Sequence, residues 1–121
     1  MGRSGRLRAT NDDLIRQLIS DPLYRVEADG TVWTLKTRAG KVGKEWRIAG
    51  RRETNGYIQV SYQKHRLSVH RIVYQKFNGS LQSDLVVDHD NRIRHDNKPE
   101  NLKLVTAKTN RQYMERRRRE G

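Results

Sequence analysis

The sequence predicts an α+β fold in which antiparallel strands and short helices precede a strand, loop, strand and helix unit with a basic C-terminal helix. Two observations carry this prediction. Alternating apolar residues recur between Gly, Asp and Asn turn signals through residues 23–69. An apolar run then ends at Asp88-His89, a polar loop follows, a second run spans 102–105, and a helix is expected to begin near Thr106.

Composition limits the size of the core and indicates the kind of partner. The chain has 121 residues, enough for one domain, and 33% of them are hydrophobic against 33% charged. Its 26 Lys and Arg outweigh 14 Asp and Glu, giving a net charge of +12. A polyanion is the expected partner. Because there are no cysteines, disulfides and thiolate zinc sites are excluded, and no structural zinc is expected.

The basic charge by itself would also suit a ribosomal protein or an anionic membrane surface. However, no run approaches the roughly 18 apolar residues of a membrane span, and the beginning of the chain lacks the apolar core of a signal peptide. The sequence therefore predicts no membrane partner and a cytoplasmic or otherwise intracellular location.

Residues 1–22 are predicted to form a basic arm and a short helix. Three arginines lie among Gly and Ser in the first nine residues, a composition that favours a segment that orders on contact with phosphate. Thr10 or Asn11 can cap the helix, and Pro22 follows its end. Its apolar face consists of Leu14, Ile15, Leu18 and Ile19.

The next region, residues 23–84, begins with a predicted hairpin. Strands at Tyr24–Glu27 and Thr31–Leu35 flank Ala-Asp-Gly, a turn sequence that supplies a positive φ. Trp33 is expected to be the buried anchor of this hairpin. Trp46 lies in a further strand and could belong to the core or to a stacking surface; the core is the favoured interpretation because aromatic residues dominate small cores.

A second pair of strands and a helix complete this region. The segment Gly56–Tyr62 alternates as a strand does, and Arg66–Val69 is expected to return antiparallel after a turn near Lys64. A helix follows over 69–77 and stops at Gly79. The side chains predicted to face inward from this helix are Ile72, Val73 and Phe77.

The segment Leu85–Asn110 resembles the ββα-metal core of HNH endonucleases, in particular the small phage and intron-encoded HNH homing endonucleases. The resemblance is carried by Asp88 and His89 at the strand end, by Asn101 in Pro-Glu-Asn-Leu, and by Asn110. It implies that His89 activates water, that Asn101 ties the catalytic loop together, and that Asp88 and Asn110 bind a divalent metal. Asn110 stands where many members have His. In the order of its predicted strands and helices, the chain resembles this family over residues 24–113.

The residue types suit phosphodiester hydrolysis. An imidazole is largely neutral at physiological pH and can accept a proton from water, and carboxylate and amide oxygens are suitable ligands for Mg²⁺ or Mn²⁺. Asp88 and Asn110 lie 22 residues apart, so the fold must bring them together. Neighbours on a strand face opposite ways, so His89 is expected to lie already in the turn that leaves the strand.

The remaining histidines and the loop residue Asn97 are not assigned to catalysis or to metal binding. His95 is interpreted as a solvated loop residue in preference to a phosphate ligand, and His70 as a structural hydrogen-bonding residue in preference to a metal ligand. His65 is assigned no more than a phosphate contact. Asn97 is expected to brace the loop in the same way as Asn101.

Basic residues are expected to supply most of the nucleic-acid affinity. The strands around Lys36–Arg52 are the expected groove readers. The tail Arg116–Arg119 is either a solvated helix end or a phosphate contact, and the latter is favoured. The predicted nucleic-acid-binding residues are Arg52, Lys64, Arg66, Arg71, Arg111, Arg116 and Arg117.

The sequence is therefore interpreted as a metal-dependent endonuclease for double-stranded DNA, with residues 23–84 binding DNA and residues 85–121 forming the nuclease core and basic tail. A monomer would nick, and a homodimer would cut both strands. The alternative is a noncatalytic DNA- or RNA-binding module that keeps the HNH scaffold. A ribosome-like basic protein fits the composition but leaves the spaced site residues unexplained.

Overall fold

A computed structural model describes residues 11–79 and 85–106. The mixture of short helices and small antiparallel sheets confirms the predicted class in outline, while the predicted C-terminal helix lies outside the described residues. The elements, in chain order, are α1 Asn11–Ser20, β1 Tyr24–Val26, β2 Val32–Lys36, β3 Val42–Ala49, β4 Arg51–Arg52, β5 Ile58–Tyr62, β6 His65–Ser68, α2 Val69–Asn78, β7 Leu85–His89, a 3₁₀ turn Pro99–Asn101, and β8 Leu102–Thr106.

The strands in this part of the chain form three antiparallel sheets, ordered β1-β2-β3, β4-β5-β6 and β7-β8. The predicted first hairpin is confirmed, with Arg25 opposite Trp33 and Val26 opposite Val32. The chain leaves the first sheet and enters the second at Gly50, which has φ +111°. A Cβ there would lie 3.0 Å from Cγ2 of Ile58, so glycine suits both the bend and the close packing.

The turn chemistry read from the sequence is also found in the structure. Gln63 and Lys64 have positive φ values of 49° and 66° and connect β5 to β6. Gly79, with φ 94°, ends α2, and its backbone N–H donates to the carbonyl of Gln75. The predicted turn near Lys64 and the predicted helix stop are therefore confirmed.

Within the described part of the chain, one hydrophobic core lies between α1, α2 and the inner faces of the sheets. An ion pair between Arg71 and Asp12, 2.6 Å long and mostly shielded from solvent, links α2 to α1 beside this core. No helix among residues 11–79 and 85–106 is long and apolar enough to cross a membrane. The fully buried residues that dominate the core are Leu14, Ile15, Leu18, Val32, Leu67, Val69, Ile72 and Val73.

Three aromatic residues are not where the sequence predicted. Trp33 is half-buried on the face of β2 opposite to Val32, and its indole N–H donates to the Thr31 hydroxyl at 2.8 Å. Trp46 is likewise half-buried, with the Arg25 guanidinium 4.6 Å from its ring. Phe77 is 42% exposed, because it falls at the edge of the apolar face in the last turn of α2. Aliphatic residues, not these aromatics, fill the centre of the core.

Candidate active site

The candidate site lies at the end of the two-stranded ribbon β7-β8. His89 is the last residue of β7 and pairs with Leu102, so the expectation that it lies in the turn is wrong. Strand alternation turns Val87 and His89 toward the core, where they are 5% and 4% exposed. Asp88 points to the other face of the ribbon and is only half-buried. The two candidate residues therefore address opposite sides of one strand end.

A buried asparagine holds the ring of His89. Nε2 of His89 donates to the amide oxygen Oδ1 of Asn97 over 2.8 Å, and Asn97 is 3% exposed. Because a neutral imidazole carries one proton, this hydrogen bond leaves Nδ1 as the basic nitrogen. Asn97 was predicted to brace the loop, but its contact with His89 was not anticipated.

Two further rings pack around His89. The ring centroid of His70 lies 5.1 Å from that of His89, and Tyr57 lies 5.9 Å from His89 and 5.4 Å from His70. The guanidinium of Arg94 covers the Tyr57 ring at 5.0 Å and donates to the carbonyl of Asn55 at 2.8 Å. His89 is therefore enclosed by side chains from α2, from the residue that precedes β5 and from the loop between β7 and β8. Local sequence patterns do not associate these three segments.

Burial changes the acid-base behaviour of His70. Desolvation lowers the pKa of His70 from 6.5 to about 3, and electrostatic interactions with His89 and Arg71 act in the same direction. His70 therefore stays neutral near neutral pH. The predicted hydrogen-bonding role of His70 is not seen among the described residues, where its Nδ1 is buried without a partner and its ring packs against Tyr57 and His89.

The lowered pKa of His70 should make the stability of the protein depend on pH. As pH falls from about 6.5 toward 3, the unfolded chain takes up a proton at His70 that the folded chain does not bind, so the free energy of unfolding should fall. The limiting slope for one proton is about 1.4 kcal/mol per pH unit. Urea unfolding between about pH 7 and pH 5 should show that the wild-type protein loses more stability than His70→Gln. Parallel curves for the two proteins would contradict this assignment.

Asn101 spans the loop between β7 and β8. Its Oδ1 accepts from the backbone N–H of Asn91 at 3.0 Å, and its Nδ2 donates to Asn91 Oδ1 at 2.9 Å and to the Asp96 carbonyl at 2.8 Å. The Asn101 backbone carbonyl accepts from the N–H of Asp90 at 2.8 Å. One buried side chain thus fixes the start and the end of the loop that contains Asn97.

The first hairpin supports this loop from outside. Gly30, in the β1-β2 turn with φ +88°, lies against the backbone of Asn97 and Lys98, and a Cβ at this position would overlap both. The Asp29-Gly30 turn therefore positions the residue that holds His89. The sequence identifies the turn but not this second use of Gly30, because the two segments are distant in the chain.

Asp88 is the described residue best suited to hold a metal. Its half-buried carboxylate lies at the strand end and makes no hydrogen bond or ion pair within the described part of the chain. The carboxylate is a hard oxygen ligand of the kind that Mg²⁺ prefers, so it fits the implied ion. The second predicted ligand, Asn110, lies outside the described residues. Residues 11–79 and 85–106 contain no cluster of three or more His, Cys, Asp or Glu side chains suited to a metal.

The predicted nucleic-acid-binding residues differ in their exposure and in their ion pairs. Arg52 and Lys64 are exposed. Arg66 is exposed but lies 3.6 Å from the carboxylate of Glu53, and Arg71 is committed to its ion pair with Asp12. Their contact with nucleic acid stays a prediction, as does that of Arg111, Arg116 and Arg117, which lie outside the described residues. His65 and His95 are both exposed.

Comparison with known proteins shows which family this part of the chain resembles. Residues 68–112 match the family model described as HNH endonuclease, a region that begins at the end of β6 and includes Asp88, His89, Asn101 and Asn110. No curated protein sequence matches the chain. The predicted resemblance to HNH endonucleases is confirmed.

One matching solved structure makes the likeness more specific. It is described as DNA binding and cleavage by the HNH homing endonuclease I-HmuI, and it superposes with a TM-score of 0.59 at 27% identity. The match covers 79% of this chain and 53% of that one, so this chain spans about half the length of the protein it matches. The fold of this chain is therefore similar to that of an HNH homing endonuclease over most of its length.

Proposed function

We propose that the chain is a divalent-metal-dependent endonuclease that hydrolyses phosphodiester bonds in double-stranded DNA. The family match over residues 68–112 and the similarity to an HNH homing endonuclease support the class of reaction. The net charge of +12 supports a nucleic-acid substrate.

The observation that carries this proposal is the arrangement of Asp88 and His89 at the end of β7. The imidazole of His89 is buried and held by Asn97 with Nδ1 as the basic nitrogen. The Asp88 carboxylate beside it points to the opposite face of the ribbon. A phosphodiester at this strand end can therefore meet a general base from one side and a carboxylate-bound cation from the other.

The proposed mechanism assigns one task to each side chain. Nδ1 of His89 removes a proton from water, and the resulting hydroxide attacks phosphorus in line with the departing 3′ oxygen. Asn97 keeps the ring from rotating and stabilises the imidazolium through Nε2. Asn101 keeps the loop, and therefore Asn97, in place. The leaving alkoxide takes up a proton, which leaves a 3′ hydroxyl and a 5′ phosphate.

The metal would be held by Asp88 and, in this proposal, by Asn110. A bound Mg²⁺ or Mn²⁺ supplies Lewis-acid stabilisation of charge on the phosphoryl and leaving oxygens. Two oxygen ligands leave most of the coordination shell for water and substrate, which is the usual situation for Mg²⁺ in nucleic-acid enzymes.

Cleavage of supercoiled plasmid DNA tests the proposal. With Mg²⁺ or Mn²⁺, the protein should convert supercoiled plasmid to nicked circles, because one site in a monomer cuts one strand; linear product would indicate that both strands are cut, as expected of a dimer. Excess EDTA should abolish product while leaving DNA binding intact. Salt-sensitive DNA binding without product under any divalent ion would contradict the nuclease proposal and support the noncatalytic module.

A further inference from the structure

Tyr57 reaches the candidate base from a different sheet. It directly precedes β5 in the second sheet, whereas His89 ends β7 in the third. Its ring centre lies 5.9 Å from that of His89, with an angle of 44° between the two ring planes. This separation is within the range over which aromatic rings attract one another. Tyr57 therefore packs against His89 without belonging to the ribbon or to the loop that contains its hydrogen-bond partner.

The hydrogen bond between His89 and Asn97 leaves one motion of the imidazole unrestrained. It fixes the position of Nε2 and prevents the ring from turning over, but the ring plane can still tilt about that nitrogen. A tilt would move Nδ1 out of the direction in which it accepts a proton. The rings of Tyr57 and His70 lie against the imidazole, and close packing of this kind limits the tilt.

The turn between β4 and β5 fixes the backbone of Tyr57. The N–H of Tyr57 donates to Oδ1 of Asn55 at 3.1 Å, and its carbonyl accepts from the N–H of Glu53 at 2.8 Å. Gly56 has φ +92°, and its N–H donates to the carbonyl of Glu53 at 2.8 Å, which closes the turn. The Tyr57 ring therefore leaves a rigid turn in a defined direction.

Arg94 holds the same turn from the loop between β7 and β8. Its guanidinium lies 5.0 Å from the centre of the Tyr57 ring and donates to the carbonyl of Asn55 at 2.8 Å. Its aliphatic stem lies along Gly56, where a Cβ would be 3.5 Å from both Cβ and Cδ of the arginine. The loop that contains Asn97 therefore also keeps Tyr57 in place.

The hydroxyl of Tyr57 has no part in these contacts. It forms no hydrogen bond with another residue of 11–79 or 85–106, and the side chain is half-buried. The contribution of Tyr57 to the site therefore comes from the flat face and volume of its ring. Phenylalanine would keep both properties, whereas leucine would keep neither.

We infer that Tyr57 is a positioning residue for His89, whose ring fixes the plane of the imidazole so that Nδ1 stays directed at the water it deprotonates. The inference rests on the proposed function, because that function makes His89 the general base. If Tyr57 only stabilised the fold, its loss would lower the temperature of unfolding and leave the cleavage rate of the folded protein unchanged.

Three variants separate positioning from stability. Tyr57→Leu removes the ring, Tyr57→Phe removes only the hydroxyl, and Tyr24→Leu is the matched control. Tyr24 is a half-buried tyrosine that packs against the core and against Tyr62, in the first sheet. Single-turnover nicking of supercoiled plasmid with Mg²⁺ is measured at increasing protein concentration, which separates the maximal rate from DNA binding. Duplex affinity in EDTA and thermal unfolding by circular dichroism accompany each rate.

Tyr57→Leu should lower the maximal nicking rate by about 10- to 100-fold, because a small misplacement of a reacting group can cost that much. Its duplex affinity should equal that of the wild type. Tyr57→Phe should cut at close to the wild-type rate, and so should Tyr24→Leu even if it unfolds at a lower temperature. Tyr57→Met, which fills more of the space with a flexible chain, replaces Tyr57→Leu if the latter does not fold.

A double-mutant cycle shows whether Tyr57 acts through His89. In the His89→Ala background, adding Tyr57→Leu should lower the residual rate no further, because the ring that Tyr57 positions is absent. Equal losses with and without His89, a Tyr57→Leu variant that cuts at the wild-type rate, or a Tyr57→Phe variant as slow as Tyr57→Leu would overturn the inference alone. A wild-type protein that cuts no plasmid would overturn the proposed function, and the inference with it.

Discussion

Replacing His89 with alanine is expected to lower DNA cleavage by about 10²- to 10⁴-fold, the usual contribution of a positioned general base. The reason is that Nδ1 of His89 is the basic nitrogen at the strand end, and the described chain offers no second imidazole in its place. His70 is the nearest, but burial lowers its pKa to about 3 and its Nδ1 is enclosed. DNA affinity should change little, because phosphate contacts elsewhere supply most of it.

The measurement is the initial rate of plasmid nicking with Mg²⁺, alongside duplex affinity in EDTA. His95→Ala is the matched control, because His95 is an exposed histidine of the same loop and its variant should cut normally. Added imidazole can enter the cavity left by His89→Ala and should restore part of the cleavage rate, which a merely structural role would not allow. Wild-type cleavage by His89→Ala would show that another group activates the water.

Replacing Asp88 with asparagine is expected to lower cleavage by more than about 100-fold at limiting Mg²⁺. Replacing a residue that supports a metal ligand typically lowers metal affinity or activity by about 10- to 100-fold. Replacing a direct ligand should lower it further. Asparagine keeps the shape of the half-buried side chain and removes its negative charge, so the ribbon should still form. Raising the Mg²⁺ concentration should recover part of the activity, since the variant binds the ion more weakly.

Asp90→Asn is the control for the Asp88 variant. Asp90 is an exposed carboxylate two residues further along, and it pairs with Lys103 at 3.0 Å. Its replacement removes the same charge near the site and should leave the dependence of cleavage on Mg²⁺ unchanged. If both variants reduced activity equally, the effect would be one of general charge, and Asp88 would not be a specific ligand.

The sequence predicts those strands and helices whose ends are determined by residues nearby in the chain. Turn chemistry at Asp29-Gly30, near Lys64 and at Gly79 marks where strands and helices end, and the structure has turns at these positions. The two apolar runs around the polar loop predict β7 and β8 for the same reason. Each signal lies within a few residues of the element it defines.

The arrangement around His89 depends on contacts between distant segments, which periodicity does not encode. Asn97 is eight residues from His89 and reaches it only because Asn101 folds the loop back. Tyr57 and His70 come from other parts of the fold entirely. The errors at Trp33 and Trp46 have a related cause: a small sheet has two faces, and the aromatic side chains lie on the one away from the core.

The most direct test of the central claim is a crystal structure of the protein with duplex DNA and Mn²⁺, analysed by the anomalous scattering of the ion. The mechanism predicts an anomalous peak at the Asp88 carboxylate, bound to a phosphate oxygen, with Nδ1 of His89 directed at the same phosphorus from the opposite side. A peak distant from Asp88, or a phosphate that His89 does not face, would contradict it.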